Sequence, residues 1–278
     1  MGRAGLKALA ARFGIHPSRS LGQHFLADPN LARAIVADAD VGAGDRVLEV
    51  GAGMGSLTVA LADAGCRVLA IELDRGLLPA LREVVAGRPD VETRLGDAMR
   101  ADWPAMLGRD RWAMVSNLPY NVSVPLVLDL LEAAPSIERY VVMVQREVGE
   151  RLVAKPGEDP YGAVSVRIAY RARARMVRRV PADVFWPRPK VDSVLVRIEP
   201  HAPPVDVDPI PLFRVVHGGF AERRKTMTNA LRRMGVDADV AGSIVREAGL
   251  EEKVRAERLG LDEFARITEL LLATGWAA

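Results

Sequence analysis

The feature that most constrains this chain is the run Glu49-Val-Gly-Ala-Gly-Met-Gly-Ser-Leu-Thr58, where alternate glycines separate an apolar stretch from a helix-like one. Arg46-Val-Leu-Glu-Val50 reads as a buried strand, Leu57 to Ala64 as a helix, and Arg67-Val-Leu-Ala-Ile71 as the next strand. That succession is a β-α-β unit, which requires parallel strands and leaves its first turn at their carboxyl edge. Gly51, Gly53 and Gly55 allow a sharp turn and close approach of a ligand to the backbone, and the helix N-terminus offers free N–H groups.

The alternation continues. Val91 to Leu95, Trp112 to Ser116 and Arg139 to Val144 are strand candidates with helix-like stretches between them, so an α/β domain with a parallel sheet covered on both faces is expected. Ahead of it, Asp28 can cap a helix that starts on Pro29 and runs to about Ala39. Gln145 to Ala154 reads as a helix and Lys155 to Pro160 as a loop. Two late strands follow, Arg171 to Val180, with Arg171, Arg173 and Arg175 on one face, and Ser193 to Ile198. Pro200 to Pro211 has the composition of a linker, and helical spacing resumes at Leu212. A chain of 278 residues suits two domains, expected here as residues 1–200 with a basic N-terminal segment and a helical domain over 212–278, joined by a linker at 201–211.

The formal net charge of +2 conceals its distribution. Arg3, Lys7, Arg12 and Arg19 precede the first acid, the stretch from Arg167 to Arg197 is net +7, and Arg223, Arg224, Lys225, Arg232 and Arg233 form a third cluster. Such patches fit a polyanion, although solvated faces would look the same in sequence. No apolar run approaches the roughly 18 residues of a membrane span, and charges interrupt the N-terminal apolar residues, so a cytoplasmic protein without a membrane partner is expected. The single cysteine, Cys66, excludes an internal disulfide and a cysteine-based zinc site, and no other metal site is read.

About twenty residues beyond the glycines, Glu72 closes the second strand, where an acid can accept hydrogen bonds from both hydroxyls of a ribose. Gly96-Asp97-Ala98 puts another acid at the same sheet edge, suited to an adenine amine or to capping a helix. Together these residues fit an adenosine-containing cofactor; the glycines alone also fit a plain turn. A dinucleotide loop is a competitor, but here the third glycine comes one residue early for its fingerprint.

Asn117-Leu118-Pro119-Tyr120 follows the fourth strand and narrows the chemistry. The lone pair of an adenine N6 is delocalised into the ring, and acceptors placed on the amine protons would localise it. The Asn117 side-chain oxygen and the Leu118 carbonyl, held by Pro119, suit that task, and Tyr120 can stack on the base. Alone, the tetrapeptide could equally be an ordinary exit from a strand.

It occurs in a series: Gly22-Gln-His-Phe-Leu26, Glu49 to Thr58, Ile71-Glu-Leu-Asp74, Gly96-Asp-Ala98, Asn117-Leu-Pro-Tyr-Asn-Val-Ser123, Gln145-Arg-Glu-Val148 with Arg151-Leu152, Phe185-Trp-Pro-Arg-Pro-Lys-Val-Asp-Ser193, Phe220 to Leu231, and Arg255-Ala-Glu257. In this order the segments resemble the KsgA/Dim family of small-subunit ribosomal RNA adenine dimethyltransferases over nearly the whole chain. The resemblance implies a Rossmann-like seven-stranded class I S-adenosylmethionine-dependent methyltransferase domain and a helical C-terminal domain. It implies dimethylation of two adjacent adenosines in the 3′-terminal hairpin of 16S RNA during small-subunit assembly, by a monomer. By the same resemblance, His24, Leu26, Gly51, Gly53, Glu72, Asp97, Ala98 and Asn117 would surround S-adenosyl-L-methionine. Asn117, Leu118, Pro119 and Tyr120 would meet the target base, with Phe185 on its far side. Arg188, Lys190, Arg223, Arg224 and Lys225 would contact RNA. Bacterial members usually carry Asn where this chain has His24, which puts that side-chain contact in question.

Three other functions compete. A 23S RNA methylase of the macrolide-resistance type shares the framework, but Phe220 to Leu231 and Asn-Leu-Pro-Tyr-Asn-Val-Ser look like the small-subunit enzyme. A non-catalytic assembly factor would not need intact Asn117, Tyr120 and Glu72, and a nicotinamide dehydrogenase would need the missing fingerprint.

Overall fold

Strands joined by helical crossovers dictate a mostly parallel sheet, and the computed structural model, which describes residues 1–18, 21–222 and 224–276, shows how it is assembled. Up to the fourth long strand the chain runs α1 (Arg3–Arg12), β1 (Phe25–Leu26), α2 (Pro29–Ala39), β2 (Arg46–Val50), α3 (Ser56–Asp63), β3 (Arg67–Glu72), α4 (Leu78–Val84), β4 (Val91–Leu95), α5 (Trp103–Leu107) and β5 (Trp112–Asn117). Then come α6 (Ser123–Ala133), β6 (Ile137–Gln145), α7 (Arg146–Val153), α8 (Ala163–Arg171), β7 (Ala172–Val180), β8 (Phe185–Trp186) and β9 (Ser193–Pro200). Four helices close the chain, α9 (Pro209–Phe220), α10 (Met227–Arg233), α11 (Ala238–Glu247) and α12 (Leu261–Ala273).

The chain divides into two compact units, one formed by 1–149 with 174–200 and the other by 150–173 with 201–276. In the first unit seven strands lie in the order β4-β3-β2-β5-β6-β9-β7. The first five are mutually parallel and β9 runs antiparallel to β6. This is the seven-stranded methyltransferase sheet that the resemblance implied. Strand order reverses between β2 and β5, and ligands of open α/β sheets bind outside the carboxyl ends at such a reversal.

Packing follows from the strand pattern. Val47, Val68, Ala70, Val115, Val141 and Met143 are buried in one cluster with Ile35 of α2 and Leu61 of α3. Each large aliphatic side chain buried there contributes about 1.5–3 kcal/mol relative to exposure. Asp28 caps α2 as expected, its Oδ1 accepting from the N–H groups of Asn30 at 2.8 Å and Leu31 at 3.1 Å. Leu6, Leu9 and Ala10 of α1 pack on Phe25, Met54 and Leu77. A two-stranded ribbon pairs Phe25 with Trp186 and Leu26 with Phe185.

The second unit has its own core, in which Tyr161, Val166 and Tyr170 join Leu212, Val215, Leu231, Ile244, Phe264 and Ile267. Its extent differs from the expected boundary at 200, because 150–173 buries its apolar face among the later helices. The linker is also shorter than expected: Asp208 caps α9 by accepting from Ile210 N at 2.8 Å, so the helix starts at Pro209. One strand expectation is corrected. Arg171 ends α8 and the strand begins at Ala172, whose N–H still donates to Ile168 O as the closing bond of the helix; Arg173 and Arg175 are exposed.

Candidate active site

The glycine turn is shaped by contacts on both sides. Gly51 and Gly53 have φ of 76° and 59°, values that disfavour any side chain. A Cβ at Gly53 would lie 2.9 Å from Phe25 Cδ1, and one at Gly51 would lie 3.1 Å from Pro119 Cδ. The N–H groups of Gly51 and Ala52 donate to Ile71 O at 2.8 and 3.2 Å, which ties the turn to β3. Gly53 N donates to Glu72 Oε2 at 2.7 Å and Asp74 N to Glu72 Oε1 at 2.8 Å. Each carboxylate oxygen keeps a further lone pair for a ligand hydroxyl. Burial raises the Glu72 pKa, opposed by these N–H groups.

These residues open onto a cleft of about 1060 Å³, lined by residues 21–26, 49–54, 71–73, 96–99 and 117–122 together with Ser56, Leu57, Leu77 and Leu126. His24, Leu26, Gly51, Gly53, Glu72, Asp97, Ala98, Asn117, Leu118, Pro119 and Tyr120 all lie on its wall. Asp97 also takes the capping role open to it, since its Oδ1 accepts from Met99 N at 3.0 Å.

Phe185 is a correction. It is fully buried among Leu26, Ile35, Val141 and Leu195 and is absent from the cleft wall, because strand alternation in β8 turns it into the core. Its neighbour Trp186 instead lies against Phe25, ring centres 6.2 Å apart.

Asn117 stands at the carboxyl end of β5. Its Nδ2 donates to the His24 carbonyl at 3.0 Å, and among the described residues its Oδ1 has no hydrogen-bond partner. The amide is thereby oriented with a free acceptor. The contact uses the His24 backbone, so it survives the replacement of Asn by His; the His24 ring serves elsewhere, its Nδ1 lying 2.7 Å from Pro187 O. The His24 and Tyr120 rings lie 5.4 Å apart, and the Tyr120 hydroxyl is 2.8 Å from Ser193 Oγ. Gln23 Nε2 donates to Asp74 Oδ2 at 2.7 Å, fixing the 21–26 segment to the end of β3.

Sequence reasoning left Glu49 without a role. It is buried on the cleft wall, its Oε2 has no hydrogen-bond partner among the described residues, and burial pushes its carboxyl up to about 8. An acid between the apolar residues Leu48 and Val50 of β2 was the available signal. A buried carboxylate oxygen, a glycine cradle and a ribose-suited acid together fit the cationic, adenosine-containing S-adenosylmethionine.

Residues 16–272 match the family model for ribosomal RNA adenine dimethylase. The chain belongs to that family. Two relatives named ribosomal RNA small subunit methyltransferase A are similar to it nearly end to end. That of Thermobifida fusca is 44% identical, covering 96% of this chain and 94% of its own. That of Acidothermus cellulolyticus is 42% identical, covering 97% and 94%. Among solved structures, a dimethyladenosine transferase from Plasmodium falciparum shares the fold with TM-score 0.75 at 23% identity, covering 91% of this chain and 98% of its own. The 23S rRNA methyltransferase ErmE has TM-score 0.68 at 25% identity, covering 89% and 99%. The enzyme is a methyltransferase of the adenine dimethylase class, and S-adenosylmethionine is its methyl donor.

Of the RNA-binding candidates, Arg188 and Lys190 are exposed between β8 and β9, and Arg224 and Lys225 are exposed between α9 and α10. Arg223 lies outside the described residues. Not every base is available. Arg178 pairs with Asp38 at 2.6 Å and Arg197 with Glu199 at 2.7 Å.

Proposed function

We infer that the enzyme dimethylates N6 of two adjacent adenosines in the 3′-terminal hairpin of 16S RNA, acting as a monomer in the cytoplasm on the immature small subunit. The observation that carries the adenine chemistry is the Asn117 amide, anchored through Nδ2 and open at Oδ1. The near full-length likeness to small-subunit relatives favours 16S over 23S RNA, and no described helix is long and apolar enough to cross a membrane.

In this reading Glu49, Gly51, Gly53, Glu72, Asp97 and Ala98, with His24 and Leu26, hold the cofactor. When bound, S-adenosylmethionine supplies an electrophilic methyl group on a sulfonium. In the first transfer Asn117 Oδ1 and the Leu118 carbonyl accept hydrogen bonds from the two N6–H groups and draw the amine toward tetrahedral geometry; in the second transfer one of them takes the single N–H that remains. Tyr120 stacks on the extruded base, and the walls of the cleft exclude water. No side chain has to remove the proton before attack, because the amine becomes acidic once methylated; positioning and charge complementarity supply the catalysis. Arg188, Lys190, Arg223, Arg224 and Lys225 contact RNA phosphates.

The test is transfer of labelled methyl from S-adenosylmethionine to small subunits that lack the modification. Label in N6,N6-dimethyladenosine of 16S RNA is expected; no transfer, or transfer only to 23S RNA, would overturn the reading.

A further inference from the structure

Ser193 is a polar residue in an apolar place. It is fully buried, opens β9 opposite Gln145 at the end of β6, and has Val194, Leu195 and Val196 as equally buried successors. Its hydroxyl meets the Tyr120 hydroxyl at 2.8 Å, and no ladder bond requires a hydroxyl at that position. The residue before it is pinned twice, since Asp192 O accepts from Arg146 N at 3.0 Å and Asp192 Oδ1 accepts from Ala182 N at 3.0 Å. Ser193 is therefore a fixed point on the rigid sheet.

The segment around Tyr120 supports its backbone, the Tyr120 carbonyl accepting from Ser123 Oγ at 3.3 Å, and leaves its ring to be held from elsewhere. Tyr120 follows the last residue of β5 by three positions, in a turn that precedes α6. Its ring is half-buried on the cleft wall, with the His24 ring 5.4 Å away at an interplanar angle of 32°. Burial raises its pKa, so the phenol stays protonated and the contact with Ser193 is a neutral O–H···O bond. A ring anchored at the para position loses the swing about its Cα–Cβ bond that would carry its face away from the cleft.

We propose that Ser193 is a positioning residue for methyl transfer: its hydroxyl holds the Tyr120 ring at the angle at which it stacks on the target adenine. The proposal rests on the adenine-methylating reading above. It assigns a task to a residue that touches neither cofactor nor base, and it explains why a hydroxyl is kept inside an otherwise apolar strand.

A double-mutant cycle on the full-length enzyme tests it, with Ser193→Ala, Tyr120→Phe and the double variant assayed on small subunits lacking the modification. Each single variant should lower kcat roughly three- to tenfold, the size of one neutral hydrogen bond. Each should leave particle affinity and S-adenosylmethionine affinity within about twofold. The double variant should be no slower than the worse single one, because both remove the same bond. Multiplying effects, an undiminished Ser193→Ala effect in the Tyr120→Phe background, or a loss of cofactor affinity that accounts for the rate would overturn it. If Ser193→Ala does not fold, Ser193→Cys keeps the volume with a weaker donor and takes its place in the cycle. Wild-type enzyme that transfers no methyl would remove the underlying reading and the proposal with it; active wild type with a multiplicative cycle would remove the proposal alone.

Discussion

Asn117 is held at one end of its amide and, in the proposed reading, accepts from the target amine with the other, so shortening it should separate binding from chemistry. Asn117→Ala is expected to reduce kcat by about 10² to 10³-fold, the usual cost of one transition-state hydrogen-bonding group. Affinity for the particle should be unchanged, as a filter-binding titration beside a turnover assay would show. Glu49 makes a different prediction. With its carboxyl pushed up to about 8, it keeps its proton in the folded protein over a range in which the unfolded chain has lost it. Its contribution to stability is therefore full below about pH 4.5 and declines as pH rises toward about 8. Glu49→Gln should flatten that decline, seen as a smaller difference in Tm between pH 5 and 8 than in wild type. Binding of the cationic cofactor at pH 7 should also release a proton in wild type and none in Glu49→Gln, which calorimetry in buffers of different ionisation enthalpy measures.

At the scale of elements, close approach matters more than composition. Gly149 of α7 faces the sheet, and a Cβ there would lie 2.2 Å from Val194 Cγ2 and 3.2 Å from Val196 Cγ2. Gly149→Ala should cost about 1–3 kcal/mol through overpacking, read as a lower urea midpoint with unchanged slope. The strands and α2 were legible because short runs of strand-forming residues bounded by turns and an Asp-Pro start are local signals; β2, β4 and the cap at Asp28 lie where the sequence reading puts them. Other features depend on partners distant in sequence. The inward turn of Phe185 is set by its pairing with Leu26, and the Ser193 contact by a tyrosine 73 positions earlier. Helix α8 hid because Arg167 and Arg171 flank its buried Val166, Ile168 and Tyr170, whose spacing of two mimics a strand.

For the whole molecule, the consequence is that the second unit is not a C-terminal appendage alone. Residues 150–173 contribute Tyr161, Val166 and Tyr170 to its core, so a chain ended at Pro200 would strand those side chains without their partners. Such a truncation should aggregate, whereas the full chain should not, as size-exclusion chromatography would show. The exposed bases of that unit make a separable prediction: replacing Arg224 and Lys225 with Ala should weaken particle binding and reduce the dependence of affinity on salt by about two counterions. The central claim concerns the substrate, and mass spectrometry of the 16S RNA 3′ hairpin from cells with and without this gene tests it most directly. Two adjacent N6,N6-dimethyladenosines present with the gene and lost without it are expected; an unchanged hairpin, with the loss appearing in 23S RNA or nowhere, would contradict it.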